Sequence, residues 1–477
     1  MLGIILNTII PIITYPYVTR VLGVDSLGIY NFYSSASTYL ILLTNLGISI
    51  YGIREIGRFR NNVKQISRIY FELLSINLFM CLLALCFVIY VILSIANPKD
   101  SFIISWFYLS VLFTCVGADW FFVALEKQKY LLIRNVIVKL LSLVSIFLFV
   151  TDRNDLLIYV AIISLSTILV SCCNVYSVLR FVDLSECRNI HCLRHIKQLM
   201  GIFIIDISYR YLGLVDVILL GIWGSKWDVG IYSVALKVVL LCIQFFNVLA
   251  TTLLPRSSFY INNSEFLEFE KLSRKSVQLI CFLCVPLVIF VFYCAHYIIY
   301  FWGGADFKDS ILALKILSFS ILFAILYNTI IFQILYPLGR IKSIIFVNTT
   351  GIIVNTILNY ILIPNYHYIG IAYSYVITFI ISLIIICIIN IEDVKFIFTH
   401  RMLSYLVASL VVFVFNLLVF MDTILLVALD ALIYFFVLYC MKEEFCVNAI
   451  LYINGIRVRF LRKNIHGIYN RLLLNIL

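Results

Sequence analysis

Apolar runs long enough to cross a membrane follow one another along almost the whole chain, with only short polar breaks between them. A spanning helix needs about 20 mainly apolar residues, because the hydrocarbon core of a bilayer is about 30 Å thick. Only 12% of the 477 residues are charged, whereas soluble domains hold about 25%. The pattern therefore predicts an all-α polytopic membrane protein. It excludes a soluble enzyme, a disordered tail and a nucleic-acid binder.

We predict about fourteen transmembrane helices, with each boundary placed to within about two to four residues. The first run is interpreted as a span rather than a cleaved signal, because no basic leader precedes it and Pro11 and Pro16 lie inside it. The predicted spans cover 1–19, 27–53, 69–95, 101–125, 130–150, 156–179, 199–223, 229–253, 276–302, 310–338, 343–363, 369–390, 402–420 and 423–441.

The distribution of basic residues predicts the orientation of these spans. With a cytoplasmic N-terminus, the inner loops and the tail hold 25 Lys and Arg residues and the outer loops hold five. Cytoplasmic loops carry the excess of Lys and Arg in membrane proteins. Both termini are therefore predicted to be cytoplasmic, and the net charge of +11 is explained without a nucleic-acid partner.

The loops are too short for a catalytic domain. The longest connections between spans are the inner ones at 180–198 and 254–275, and no Gly-x-x-x-x-Gly-Lys-[Ser/Thr] phosphate loop occurs. We therefore predict a transporter rather than an enzyme, with no cofactor. The inner loop with Cys187, His191, Cys192 and His195 lacks a standard zinc spacing, so we predict a solvated basic loop and no metal site.

An internal repeat divides the predicted spans into two halves. Leu27-Gly28-Ile29-Tyr30 opens span two and Val229-Gly230-Ile231-Tyr232 opens span eight, six spans later. An even number of spans between copies preserves their orientation, as in parallel repeats of transporters. The prediction is a six-helix bundle at 1–180, a cytoplasmic linker at 181–198, a second six-helix bundle at 199–395, two additional spans at 396–441 and a basic cytoplasmic tail at 442–477. A central cavity is expected between the bundles.

Ionisable residues within the spans mark either a transport pathway or structural pairs, because a charge at the centre of a helix costs about 2.5–3.5 kcal/mol on insertion scales. In the first interpretation Lys139, Arg210 and Lys237 line a cationic cavity for an anionic group such as pyrophosphate. In the second, the charges form the ion pairs Asp119–Arg134, Asp206–Arg210 and Asp216–Lys237. Both alternatives remain open, and Asp430 has no obvious partner in the sequence.

An ordered set of short motifs runs along residues 1 to 395. The motifs are Pro16-Tyr17-Val18-Thr19-Arg20-Val21-Leu22-Gly23, Asn45-Leu46-Gly47-Ile48, Tyr51-Gly52-Ile53-Arg54-Glu55-Ile56, Gly117-Ala118-Asp119-Trp120-Phe121-Phe122, Leu254-Pro255-Arg256 and Leu335-Tyr336-Pro337-Leu338-Gly339. Together they resemble the Wzx-type polysaccharide repeat-unit flippases. The chain departs from the family pattern at Ala118, and Tyr209-Arg210-Tyr211 matches no family motif.

This resemblance implies the fold shared with multidrug and oligosaccharidyl-lipid exporters, in which two bundles form a V around a central cavity. The implied substrate is an undecaprenyl-pyrophosphate-linked oligosaccharide for O-antigen or capsule synthesis, flipped across the bacterial inner membrane. Arg20 and Arg54 match family-like motifs and are added to the predicted cavity cations. A polysaccharide polymerase, a chain-length regulator and membrane lipids are the implied partners. The alternative is a cation-coupled multidrug or small-molecule exporter on the same fold.

Overall fold

The computed structural model describes residues 2–59, 61–94, 97–188, 191–397, 400–418, 424–441, 443 and 446. Within these ranges only the backbone is described at residues 2–11, 99, 187–188, 205, 208–212, 249, 400–403, 406, 417–418 and 424–428. Most of the predicted tail at 442–477 and the side chain of Arg210 therefore lie outside the described residues.

Regular secondary structure in the described ranges is helical throughout. Short 3₁₀ segments lie at Leu184–Arg188, Ala305–Phe307 and Lys395–Ile397, and a π-helical segment at Ile330–Leu335. The α-helices are α1 (Leu2–Asn45), α2 (Ile48–Arg58), α3 (Val63–Ser94), α4 (Pro98–Gly117), α5 (Asp119–Ala124), α6 (Gln128–Phe149), α7 (Leu156–Val178), α8 (Leu193–Trp223), α9 (Lys226–Asn262), α10 (Phe266–Tyr293), α11 (Ala295–Trp302), α12 (Ser310–Thr329), α13 (Ile341–Ile389), α14 (Ile391–Val394), α15 (His400–Leu418) and α16 (Ile424–Cys440).

Eight helices of the described chain are long and apolar enough to cross a membrane, or nine when Ile12–Asn45 and Ile48–Arg58, bent by 40°, count as one span. The fourteen predicted spans fall on these and on shorter apolar helices, because α1 and α13 each contain more than one predicted span. Large apolar side chains stay exposed along α3, among them Phe79, Phe87 and Leu93, as expected of a surface that faces lipid. The all-α integral membrane fold is confirmed.

Single residues interrupt the two longest helices inside predicted outer loops. Gly23 in α1 has φ 72° and ψ −178°, and His367 in α13 has φ 51° and ψ −131°. After His367 the chain returns along itself, since an added Cβ at Gly370 would lie 2.3 Å from the Leu362 carbonyl oxygen. Both breaks let one span end and the next begin within a few residues.

The two glycines of the internal repeat contact each other's helices reciprocally. A Cβ at Gly28 would lie 1.7 Å from the carbonyl oxygen of Lys226, four residues before Gly230. A Cβ at Gly230 would lie 2.3 Å from the carbonyl oxygen of Val24, four residues before Gly28. Small residues permit such close backbone approach between membrane helices. The repeated positions are therefore structurally equivalent as well as similar in sequence.

The chain forms two compact units. The first contains Met1–Val239, His296–Leu317 and Lys342–Ser382, and the second contains Leu240–Ala295, Ser318–Ile341 and Leu383–Leu477. These units follow the packing of helices and differ from the boundaries predicted from the repeat, which stay a prediction. In the second unit Arg340 Nε donates to Asp393 Oδ2 at 2.7 Å, and this contact raises the pKa of Arg340.

Candidate functional site

Arg20, a predicted cavity cation, lies at the C-terminal end of α11. Its Nη2 donates to the carbonyl oxygens of Tyr300 at 3.3 Å and Phe301 at 3.0 Å, and Thr19 Oγ1 donates to the carbonyl oxygen of Trp302. The last carbonyls of a helix lack intrahelical partners, and a cation there meets the negative end of the helix dipole. Arg20 therefore caps α11, and its contact with substrate stays a prediction.

Lys237 is an exposed cation within the spanning helix α9. Its Nζ lies 5.7 Å from the centroid of the Tyr15 ring, which itself lies 5.5 Å from the Trp302 ring. No carboxylate among the described side chains lies within ion-pairing distance of Lys237. An ammonium group beside two aromatic rings, with its charge uncompensated by described groups, is suited to bind an anion.

The other predicted cations are dispersed. Arg54 is exposed on α2, donates to Gln198 Oε1 at 3.0 Å and lies 5.2 Å from the centroid of the Tyr51 ring. Lys139 is partly exposed on α6. The side chain of Arg210 lies outside the described residues, and so does the predicted Asp206–Arg210 pair. The described part of the chain thus shows no direct contact among the predicted cations.

The predicted ion pair between Asp119 and Arg134 is confirmed. Arg134 Nη1 lies 3.1 Å from Asp119 Oδ1, and Arg134 is 4% exposed at its side chain. Asn174 joins the pair: its Nδ2 donates to Asp119 Oδ1 and, at 2.7 Å, to the carbonyl oxygen of Gly117, and its Oδ1 accepts from Arg134. This network satisfies polar groups where α4 ends and α5 begins, at Ala118 with φ 45°.

The predicted Asp216–Lys237 pair does not form between these described side chains. Asp216 is fully buried, and its Oδ1 accepts from Asn359 Nδ2 at 2.8 Å. Asn359 also donates to Asn355 Oδ1 at 3.0 Å, one helical turn away on α13. Asp216 Oδ2, Asn359 Oδ1 and Asn355 Nδ2 are buried without a hydrogen-bond partner among the described groups. The cluster therefore holds a carboxylate with unused acceptor capacity.

Asp430 has a partner that the sequence did not suggest. It is 5% exposed, and Asn416 Nδ2 of α15 donates to its Oδ1 at 2.8 Å. The Asn416 amide has both donor and acceptor groups, so it can bond either the ionised or the protonated carboxyl of Asp430, whereas a Lys or Arg partner only donates. Within the described residues there is no group of three or more His, Cys, Asp or Glu side chains placed to hold a metal ion.

Sequence reasoning missed a buried cluster centred on Glu72 of α3. Its carboxylate accepts from the backbone N–H of His191 at 2.8 Å, contacts His195 Nε2 at 2.8 Å, and pairs with Arg194. The Tyr51 hydroxyl lies 2.7 Å from His195 Nδ1. His195, 4% exposed, is thus not part of a solvated loop. The overlooked signal was a single Glu inside the apolar run 69–95.

The long apolar helices and the repeat define a polytopic membrane protein, and comparison with solved structures gives the same fold. The lipid II flippase MurJ in an inward closed conformation matches with a TM-score of 0.73 at 15% identity, covering 94% of this chain and 99% of that one. An inward-facing multidrug resistance MATE family transporter of the MOP superfamily matches with a TM-score of 0.65 at 14% identity, covering 81% and 96%.

The chain belongs to the family described as polysaccharide biosynthesis protein, whose model matches residues 1–260; the MatE model matches residues 201–361. The predicted kinship with Wzx-type flippases is confirmed. A protein of Escherichia coli K12 named as an O-antigen transporter is 22% identical over 32% of this chain and 37% of its own length. A Shigella dysenteriae protein of the same name is 32% identical, over 31% and 38%.

A third relative, the capsular polysaccharide biosynthesis protein CapF of Staphylococcus aureus, is 24% identical over 54% of this chain and 66% of its own length. The matches span about two fifths to two thirds of the length of these relatives. The family model, over residues 1–260, includes both copies of the repeat and all five predicted cations.

Proposed function

We propose that the protein flips polyprenyl-pyrophosphate-linked oligosaccharide repeat units from the cytoplasmic to the outer leaflet of the bacterial inner membrane, by alternating access. Lys237 carries this proposal, since it places an uncompensated cation within a spanning helix where a pyrophosphate can be held. The names of the relatives and the family support a glycan for O-antigen or capsule as the substrate, and we propose that it is undecaprenyl-linked. Both termini lie in the cytoplasm in this proposal.

The physical problem that such a protein solves is the transfer of sugar hydroxyls through hydrocarbon. Each hydroxyl moved into an apolar medium without a hydrogen bond costs roughly 2–7 kcal/mol. A protein that offers polar groups along the path, while the polyprenyl chain stays in lipid, removes most of that barrier without breaking a bond. Arg20, Arg54, Lys139 and Arg210 are proposed to assist Lys237 along this path. A polymerase and a chain-length regulator are proposed to receive the product.

The proposal is tested by leaflet access in vesicles that contain the purified protein. A labelled undecaprenyl-pyrophosphate oligosaccharide starts in the inner leaflet, and an impermeant sugar-modifying reagent reports its appearance outside. We expect transfer that depends on the protein and does not respond to cationic drugs. Absence of transfer, together with ion-driven efflux of a cationic dye, would replace the proposal by the exporter alternative, with Asp430 as the next residue to substitute.

Reversing the charge of Lys237 is expected to lower the rate of this transfer by more than about tenfold. Lys237→Glu removes a charge-assisted contact to the pyrophosphate that contributes about 1.5–3 kcal/mol, and places a repelling carboxylate there. Lys237→Gln should show an intermediate rate. Lys308→Glu, at an exposed position, is the matched control with unchanged transfer. Equal rates in Lys237→Glu and the wild-type protein would remove Lys237 from the site.

Asp216 is proposed to couple transport to a monovalent cation or a proton, because its Oδ2 is buried without a described partner. Asp216→Asn keeps the shape but removes the charge. We expect the variant to transfer substrate at a rate that no longer responds to an imposed proton or sodium gradient, while exposed Asp25→Asn responds like the wild-type protein. An unchanged gradient response in Asp216→Asn would reassign Asp216 to a structural role. Asp119, held by Arg134, is assigned that structural role.

A further inference from the structure

A polar cavity lies inside the first compact unit, and none of the predicted cavity cations whose side chains are described lines it. It has a volume of about 190 Å³, and Ile41, Trp120 and Val170 contribute apolar wall. Its polar wall consists of seven side chains from six different helices: Asn45, Ser49, Asn77, Thr114, Asp119, Thr167 and Ser171. Seven polar side chains thus surround one cavity inside a helical bundle whose outer surface is apolar, although polar groups within a membrane carry a cost.

One wall group is a buried acceptor without a donor. Asn77 is 4% exposed, and its Nδ2 donates to the carbonyl oxygen of Cys115 at 3.1 Å. Its Oδ1 has no hydrogen-bond partner among the described groups. Leaving a buried acceptor unpaired costs about 1–3 kcal/mol, so the native state favours a donor from a bound molecule.

The cavity is accessible and electrically balanced. The side chain of Asp119 is 61% exposed, which leaves an opening on that side. Its charge is compensated by Arg134, whose Nη2 lies 3.5 Å from Asp119 Oδ2. A carboxylate in the wall opposes an anion, and the compensating guanidinium removes the advantage of a cation. The preferred ligand is therefore neutral and rich in hydrogen-bond donors.

The volume of the cavity limits which neutral, donor-rich ligand can fit. A volume of about 190 Å³ corresponds to about six water molecules and is smaller than the roughly 300–1,000 Å³ of sites for drug-sized ligands. One sugar ring has this size, presents several hydroxyl donors to acceptors such as Asn77 Oδ1, and has apolar C–H groups for contact with Ile41 and Trp120.

We infer that this cavity is a subsite for one uncharged sugar ring of the transported glycan, distinct from the pyrophosphate-binding residue Lys237. The inference rests on the proposed function for the origin of the sugar. It assigns glycan selection to the N-terminal part of the chain, through acceptors such as Asn77 on α3. Because the wall offers no uncompensated cation among its described side chains and contains the Asp119 carboxylate, acidic sugars are predicted to be rejected at this position.

The test measures the binding of free sugars to the purified full-length protein in detergent, by tryptophan fluorescence. The probes are D-glucose, D-galactose, N-acetyl-D-glucosamine and D-glucuronate. We expect saturable binding of at least one neutral sugar and none of glucuronate. Asn77→Leu should raise the Kd of that sugar by about tenfold or more, because the loss of one hydrogen bond of about 1.4 kcal/mol corresponds to tenfold in Kd. Thr114→Val, which removes a hydroxyl while keeping the side-chain shape, should weaken it as well.

Asn328→Leu is the matched control. Like Asn77, Asn328 is a buried asparagine, 7% exposed, and its Nδ2 donates a hydrogen bond to Asn247 Oδ1 at 3.1 Å. It belongs to the second compact unit and does not line the cavity. Its sugar affinity should equal that of the wild-type protein. Equal affinities in the wild-type, Asn77→Leu and Thr114→Val proteins, or no saturable binding of any neutral sugar, would overturn the subsite. Lipid-linked transfer by a protein that binds no sugar overturns the subsite alone. Sugar binding without lipid-linked transfer overturns the proposed function alone.

Discussion

Replacing Gly28 by valine is expected to disrupt the packing of the repeated helices and to lower the unfolding temperature of the purified protein. The first added carbon would lie 1.7 Å from the Lys226 carbonyl oxygen, a backbone atom that cannot rotate away. The helix of Gly28 must therefore move away from the segment that contains Gly230. Overpacking of this kind lowers the free energy of unfolding by about 1–3 kcal/mol and occasionally more. We expect a loss near the top of this range, because the obstacle is a backbone atom. The unfolding temperature is measured in detergent from the loss of the helical circular dichroism signal on heating.

Two other glycines provide the matched controls. Added carbons at Gly57 and Gly201 would meet nothing within 4 Å, although both residues also lie in helices. Gly57→Val and Gly201→Val should therefore unfold close to the wild-type temperature. Gly230→Val should resemble Gly28→Val, because the contact is reciprocal. A Gly28→Val protein as stable as Gly57→Val would show that the two helices can separate without cost.

Replacing Glu72 by alanine is expected to release the start of α8 from α3. Glu72 is fully buried and is the acceptor for the His191 N–H, for Arg194 and for the buried His195 ring. Removing one partner of a buried charged cluster lowers the free energy of unfolding by about 3–5 kcal/mol. Arg194 is half-exposed and can turn to solvent, so we expect a loss near the bottom of this range. Trypsin should then cleave after Arg194 or Lys197 faster than in the wild-type protein, and gel electrophoresis of the fragments measures the rate.

Glu268→Ala is the control for this experiment, since Glu268 pairs with Lys271 at 2.7 Å and both side chains are exposed. Surface pairs contribute about 0–1 kcal/mol, so its cleavage pattern should not change. Glu72→Gln keeps an oxygen for the His191 N–H but loses the charge, and an intermediate rate is expected. Cleavage of Glu72→Ala at the wild-type rate would show that the remaining packing of α8 holds this segment.

Much of the fold was predictable because the signals are local. The length of an apolar run decides whether a helix spans a membrane, and the runs located the helices of the described chain. The repeated glycines were also recognisable, since Gly28 and Gly230 begin equivalent helices. The Asp119–Arg134 pair was predictable from similar depth on neighbouring spans. Its third member, Asn174, was not, because an uncharged side chain gives no charge signal.

The sequence by itself determined the class of protein, the spans and the repeat, since these depend on hydrophobicity and on short motifs. Only the tertiary structure decided the partners of the embedded charges. Asp216 meets Asn359 and not Lys237, and Glu72 meets His195, 123 residues away. Such contacts depend on how each helix is rotated and how deep it lies against its neighbours. The packing of many side chains sets both quantities together, and the hydropathy of a single span carries no information about either.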